Sequence, residues 1–375
     1  MRDGFGRAVL MLLAAAPAAP AAAAPCDAGA IVPAAGEAGA PVIGRARLLM
    51  GARLRIEARG PSAEPAIERA FDEVARLESV LSNWRADSEV SRMNAAAASG
   101  PVAVSADLLV AVGAALRFAQ ETGGAFDPTV EPLVRAYGLR GPEGILPGAG
   151  SPPAAGDAAP VGWRGVRIDP AHRTVAFALE GMGIDFGGIG KGIALDAAAE
   201  VLRSDGVEAA LLDFAGQVLV FGTGPDAGGW NVGIADPDDR TAPAVTVRLA
   251  AGSLATSGNS ERAVVRDGRR IGHILDPRTG LPVAWDGSVS VLAADATTAD
   301  ALTKAMFVLG PGRGARWAER HGVEVLFLER GARGRLVRRG AGALLGAAAK
   351  GGRAVASADG VGVTMPPRPH PEGPG

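Results

Sequence analysis

Cysteine is almost absent, since the 375-residue chain has only Cys26. Without a second thiol an internal disulfide is excluded, and stability must come from packing or from a bound ligand. A surplus of charge is missing too. The formal net charge is −2, which excludes the basic footprint of a nucleic-acid binder. Beyond the N-terminal region no apolar run reaches the length of a spanning helix, so the mature chain is read as lacking one. Neither common phosphate-loop signature is present. A Walker loop needs glycine five residues before its Gly-Lys pair and Ser or Thr after it, where this chain has Asp185 and Gly192. Gly188-Ile-Gly190-Lys-Gly192 also has the wrong spacing for the dinucleotide fingerprint.

What is present begins with an export signal. Arg2 and Arg7 precede Ala8-Val-Leu-Met-Leu-Leu-Ala-Ala-Ala, an apolar stretch too short to span, and Ala22-Ala-Ala resembles a cleavage site. Residues 1–24 are therefore expected to be removed. Cys26 then falls where bacterial lipoproteins carry an acylated cysteine, although Pro25 fits that processing site poorly. Residues 25–44 read as a flexible linker, 45–340 as the folded domain and 341–375 as a Gly/Ala/Pro-rich tail too poor in apolar surface to order itself.

Within the domain the densest signal is Gly181–Asp196, GMGIDFGGIGKGIALD, with Asp185 and Lys191 among its glycines. Glycines this close let backbone turn sharply and approach a ligand. Strands are expected over Arg164–Pro170 and Arg173–Leu179 before it, and a helix from Ile193 after it. Such a turn opening a helix presents N–H groups and a positive dipole end to an anion. A bland strand-to-helix turn would look the same.

Around this centre, Ala46–Ala58 reads as a strand interrupted at Met50-Gly51, where glycine marks a bulge or a ligand against the backbone. Apolar spacing predicts helices over Pro65–Leu81 and Ser105–Thr122, the second stopped by Gly123-Gly124 before an Asp127-Pro128-Thr129 turn. Trp84 between them suits core filler better than a ligand platform. Residues 141–162 read as a surface excursion. Val207–Phe214 and Val218–Phe221 are expected to pair about a turn at Ala215-Gly216, and Trp230–Ala235 to add a strand. Antiparallel pairs interleaved with helices predict a mixed α+β fold. Near the end, His273 and Asp276 share a turn where His273 could serve as acid, base, phosphate donor or structural residue. Asp300 is expected to begin a helix, with Thr303 and Lys304 on the same face. That face suits a hard cation or a phosphate, or simply complements the helix dipole.

Taken as an ordered set, Met50-Gly51, Leu81–Asn94, Gly124-Ala-Phe-Asp-Pro-Thr-Val, Ile184-Asp-Phe-Gly-Gly-Ile-Gly-Lys-Gly, Ala255-Thr-Ser-Gly, His273-Ile-Leu-Asp-Pro-Arg-Thr-Gly and Ala299-Asp-Ala-Leu resemble the ApbE family of FAD:protein FMN transferases. The resemblance implies a largely antiparallel α+β architecture related to the T-fold. It also implies a periplasmic or membrane-attached enzyme that splits FAD with magnesium, releases AMP and esterifies FMN to a threonine or serine of a partner. Such partners are subunits of membrane electron-transfer systems. A flavin-binding protein without efficient transfer and a magnesium-dependent FAD pyrophosphatase are the alternatives. Matched residue by residue, the family pattern implies FAD contacts from Met50, Trp84, Ala125, Phe126, Asp127, Asp185, Lys191, His273 and Ile274. It implies a metal at the Gly188 carbonyl, Asp300 and Thr303, electrostatic help from Lys191, and a base at His273 or Asp276. The chain departs from the pattern at the fourth residue past Asp300, where Lys304 replaces a threonine that ligates magnesium; Ala215 and Asn259-Ser260 are further departures.

Overall fold

The computed structural model describes residues 42–139, 159–224, 229–239, 241–259, 263–266, 269–331, 334–349 and 355–356. Cys26, the export signal and most of the 141–162 excursion lie outside them. The chain opens with strands β1 (Ile43–Leu49) and β2 (Ala52–Arg59) and helices α1 (Ala63–Leu81) and α2 (Glu89–Ala96). Strand β3 (Val102–Ala103), helices α3 (Ala106–Glu121) and α4 (Glu131–Ala136) and the hairpin β4 (Val166–Asp169) and β5 (Thr174–Phe177) follow. Next come α5 (Gly190–Ser204), β6 (Ala209–Phe214), β7 (Gln217–Phe221), β8 (Trp230–Ala235), β9 (Pro243–Leu249) and β10 (Gly252–Gly258). The last third holds β11 (Ala263–Arg266), β12 (Arg269–Gly272), β13 (Leu275–Asp276), β14 (Leu281–Pro282) and β15 (Ser288–Ala293). It closes with α6 (Ala296–His321), β16 (Glu324–Arg330), β17 (Leu336–Ala341), α7 (Gly342–Ala349) and β18 (Val355–Ala356).

The organising layer is an eight-stranded sheet in the order β1-β2-β6-β7-β10-β15-β16-β17, antiparallel at every pairing. Both faces are covered at its centre, which is why every residue of β6 and β7 is buried. On one face Leu54, Ile56, Leu212 and Phe214 meet Ile67, Phe71 and Val74 of α1 and Leu195 and Leu202 of α5. Burying each such side chain contributes about 1.5–3 kcal/mol. On the other face Leu211, Val218 and Val220 meet Trp230 and Val232 of β8, Val247 of β9 and Leu344 of α7. The α+β class expected from sequence is the class observed. At the rims, edge strand β1 sends Arg45 to Glu64 and Arg47 to Glu68 and Asp72 of α1, and edge strand β17 carries Arg338 and Arg339.

Three local expectations change. Met50-Gly51 is the two-residue turn of the β1–β2 hairpin, with both residues at positive φ (49° and 71°), rather than a bulge within one strand. Helix α6 begins at Ala296, so Asp300 lies in its second turn; Asp295 is the N-cap and accepts from the Thr298 N–H at 2.7 Å. The segment read as an unordered tail includes α7, because Leu344, Ala347 and Ala348 find apolar partners on the sheet that composition alone does not reveal.

Helix α6 bends at Gly310-Pro311, where Gly310 has φ 72°. Pro311 has no N–H for the Phe307 carbonyl one turn earlier. The Trp285 indole N–H donates to that carbonyl at 2.7 Å, and its ring lies 4.4 Å from the Phe307 ring. Trp285→Phe keeps the ring and removes the donor. It should cost about 1–3 kcal/mol, read as a lowered melting temperature; an unchanged midpoint would mean that water satisfies the carbonyl.

Candidate functional site

The glycine-rich stretch is held in place by two asparagines. Asn83 donates to the Ile184 carbonyl (2.7 Å) and accepts from the Phe186 N–H (3.1 Å). Asn94 makes a paired contact with both backbone groups of Ile184, at 2.9 and 2.8 Å. The Asp185 N–H donates to the Pro128 carbonyl at 2.7 Å, tying the stretch to the Asp127-Pro128-Thr129 turn. The asparagine contacts span 90–103 residues of chain, so no local pattern in the sequence points to Asn83 or Asn94 as clamps. What they fix is the path from Ile184 into α5.

Along that path each glycine meets a different neighbour. A Cβ on Gly188 would lie 3.2 Å from both Lys304 Cγ and Phe126 Cε2. On Gly190 it would lie 3.7 Å from Met50 Cε, which the strained turn at Met50 aims inward. On Gly192 it would collide with the backbone of α6, 2.3 Å from the Ala296 carbonyl oxygen. The Gly192 N–H instead donates to Asp300 Oδ2 at 3.1 Å. The structure therefore brings together Met50, Phe126, Gly188, Asp300 and Lys304, with Lys191 in the first turn of α5.

Asp300 is the anionic centre of the cluster and is almost completely buried. Burial would raise its carboxyl, but Lys304 and then Lys191, with hydrogen bonds from Lys304 and Gly192, outweigh that and hold it below the usual range. Lys304 Nζ sits 2.8 Å from Asp300 Oδ1. The anion expected at the start of α5 is thus supplied partly by the protein itself, because Asp300 takes the Gly192 N–H and the Phe186 carbonyl takes the Gly190 N–H. A neighbouring carboxylate, Asp196 on α5, caps α6 by accepting from the Ala296 and Thr297 N–H groups at 2.8 and 2.9 Å. Its burial, and then Asp295, push it up to about 6.

The remaining sequence candidates occupy supporting positions. Asp127 is buried; its carboxylate accepts from the Thr129 N–H and hydroxyl and from the Trp163 N–H, so it shapes the loop that carries Ala125 and Phe126. Burial raises its carboxyl despite those donors. Trp84 is 54% exposed and is not the core filler its type suggests. Asp185 Oδ1 accepts from the Gly187 N–H at 2.6 Å. Ile274 is buried in the same apolar cluster as Phe126, Ile189 and Met306, which brings His273 beside that cluster along the chain. Asp276 is engaged by Arg278 through Nε and Nη2 at 2.8 and 2.7 Å. Burial opposes its ionisation, yet the Arg278 contacts hold its carboxyl below the usual range, which makes it a weak proton acceptor.

A dication does not fit the residues proposed for it. Thr303 donates its hydroxyl to the Asp300 carbonyl at 2.7 Å and accepts from Ser257 at 3.0 Å, with Lys304 Nζ at 3.4 Å. A hydroxyl so engaged has no lone pair left for a metal. Asp300 Oδ1 already holds an ammonium, and a doubly charged ion about 3 Å from that ammonium would meet a repulsion on the order of 10 kcal/mol at an effective dielectric near 20. Among the described residues, no three His, Cys, Asp or Glu side chains gather to hold a metal.

Fold and site together define a class: antiparallel α+β proteins in which a glycine-rich turn meets a lysine-flanked carboxylate. Within that class the chain belongs to the ApbE family, whose model matches residues 50–327. It is 37% identical over 306 residues to the FAD:protein FMN transferase of Treponema pallidum, covering 76% of this chain and 83% of that protein. A protein of the same name from Vibrio cholerae is 33% identical over 267 residues, covering 70% and 78%. Among solved structures, the ApbE protein of Thermotoga maritima superposes with a TM-score of 0.73 at 30% identity, covering 80% of this chain and 97% of that one. The apo flavinyl transferase ApbE of Pseudomonas stutzeri gives 0.70 at 30%, covering 80% and 94%.

Proposed function

We propose that this protein is a periplasmic FAD:protein FMN transferase. The supporting observation is the meeting of Phe126, Gly188, Lys191, Asp300 and Lys304 at one point, in a chain whose relatives carry that name. The acceptor's threonine or serine oxygen attacks the phosphorus on the FMN side of the diphosphate. A new P–O bond forms as the bond to the bridging oxygen breaks, and that oxygen departs with AMP. Lys191 and Lys304 offer fixed positive charge to the diphosphate as negative charge builds on the leaving oxygen. His273 receives the hydroxyl proton, since Asp276 is held by Arg278. Met50 and Trp84 supply apolar and aromatic surface for the flavin or adenine ring, with Phe126 buried behind Gly188 as support.

Magnesium has no step in this reading, because the donor set around Asp300 does not accommodate it. The export signal read in residues 1–24 supports a periplasmic location, and with it an acceptor in a membrane electron-transfer system. No helix among the described residues is long and apolar enough to cross a membrane. Incubation with FAD and a threonine-bearing acceptor domain should leave covalent flavin fluorescence on the acceptor and release one AMP per flavin attached. Intact bound FAD, or free FMN with AMP, would overturn transfer in favour of storage or hydrolysis.

A further inference from the structure

We propose that Lys304 is a built-in substitute for a divalent ion: its ammonium supplies the positive charge that faces the diphosphate, so FAD binds without magnesium. The inference rests on the reading of this site as a FAD site and concerns how that site balances charge. Three observations carry it. The ammonium is positioned by a buried carboxylate, 2.8 Å from Asp300 Oδ1, and by Thr303 Oγ1 at 3.4 Å. An ammonium has three N–H donors, and among the described residues Lys304 has these two acceptors, which leaves one donor for a phosphate oxygen.

Second, the turn is shaped around the lysine stem. The space a side chain on Gly188 would need is taken by Lys304 Cγ and the Phe126 ring, so the glycine turn and the lysine fit each other directly. Third, the charges are matched to the ligand. Asp300, Lys304 and Lys191 together leave one positive charge beside the loop, a partial counterpart to a dianionic diphosphate, and the half-buried Lys304 side chain remains 17% exposed and reachable. Adding a dication would overcharge the site and displace the ammonium from its carboxylate.

The test is FAD titration of the purified protein, followed by tryptophan quenching, in EDTA and in magnesium. The wild-type Kd should agree within about twofold between the two conditions. In EDTA, Lys304→Thr should weaken binding by about tenfold or more, and magnesium should restore it. Calorimetric titration with magnesium alone should give no binding heat for the wild type. A wild type whose FAD affinity collapses on chelation would overturn the inference while leaving the transferase reading intact. Binding by Lys304→Thr in EDTA equal to wild type would do the same. Failure of the wild type to bind FAD in either buffer would overturn both. The chelation arm needs no substitution, so it decides the matter even if the variant does not fold.

Discussion

Gly192→Ala should lose about 3 kcal/mol or more of stability and fail to accumulate as a folded protein at elevated temperature. The added methyl would stand 2.3 Å from the Ala296 carbonyl oxygen and 2.7 Å from Thr297 Cα, both backbone atoms of the first turn of α6. No side-chain rotation relieves such a clash, so α5 must move away from α6. That movement breaks the Gly192 N–H bond to Asp300 and pulls Asp196 off the end of α6. Calorimetry is the measurement, with Gly346→Ala at an exposed position of α7 as control, where an added Cβ meets no atom within 4 Å. The control should match or slightly exceed the wild type, because alanine is the better helix former. A Gly192→Ala midpoint as high as the control's would show that the two helices do not pack as described.

Asp300→Ala should be more damaging to function than any other single substitution in the cluster. It leaves the Lys304 ammonium partly buried without its carboxylate and the Gly192 N–H without its acceptor. Breaking one side of a buried ion pair costs about 3–5 kcal/mol. Flavin transfer should fall by about a hundredfold or more, because the lysine loses the anchor that aims it. Asp300→Asn separates the two effects: it retains hydrogen-bonding capacity, so it should recover stability more than transfer rate. The acid limb of stability adds a check. The folded-state carboxyl is held below the unfolded value of about 3.9, so its stabilisation is complete above that value and is lost as pH falls through the folded value. Asp300→Ala should therefore show a shallower decline below about pH 4 than the wild type. Identical acid limbs would mean that the Asp300–Lys304 pair contributes nothing to folding.

Much of the architecture was legible because its signals are local. The three- and four-residue spacing of Ile67, Phe71 and Val74 placed α1, Gly123-Gly124 marked the end of α3, and the turn at Ala215-Gly216 joined β6 to β7 as read. The hairpin at Met50-Gly51 was harder to read, since apolar residues continue across the turn and resemble a single interrupted strand. Helix α6 starts four residues before Asp300, where Asp295 caps it, and Thr297, Thr298 and Ala299 carry no apolar periodicity that would mark its first turn. Of the site, the glycine-rich stretch and its lysine were visible in sequence. The engagement of Asp276 by Arg278 and the long-range clamps at Asn83 and Asn94 were not, because hydrogen bonds between distant segments leave no periodic trace. The role of Lys304 was visible only as a departure from a pattern; its pairing with Asp300 gives that departure a physical meaning.

The arginines on the outermost strands have a consequence for handling the protein. An unpaired strand rim is a template on which another chain can add its own backbone. Here one rim is locked to α1 through Arg45 and Arg47, and the other bears adjacent Arg338 and Arg339, so any added strand must strip water from guanidinium groups. Charge at both open ends of the sheet thus opposes the edge-to-edge addition that leads to fibre-like growth.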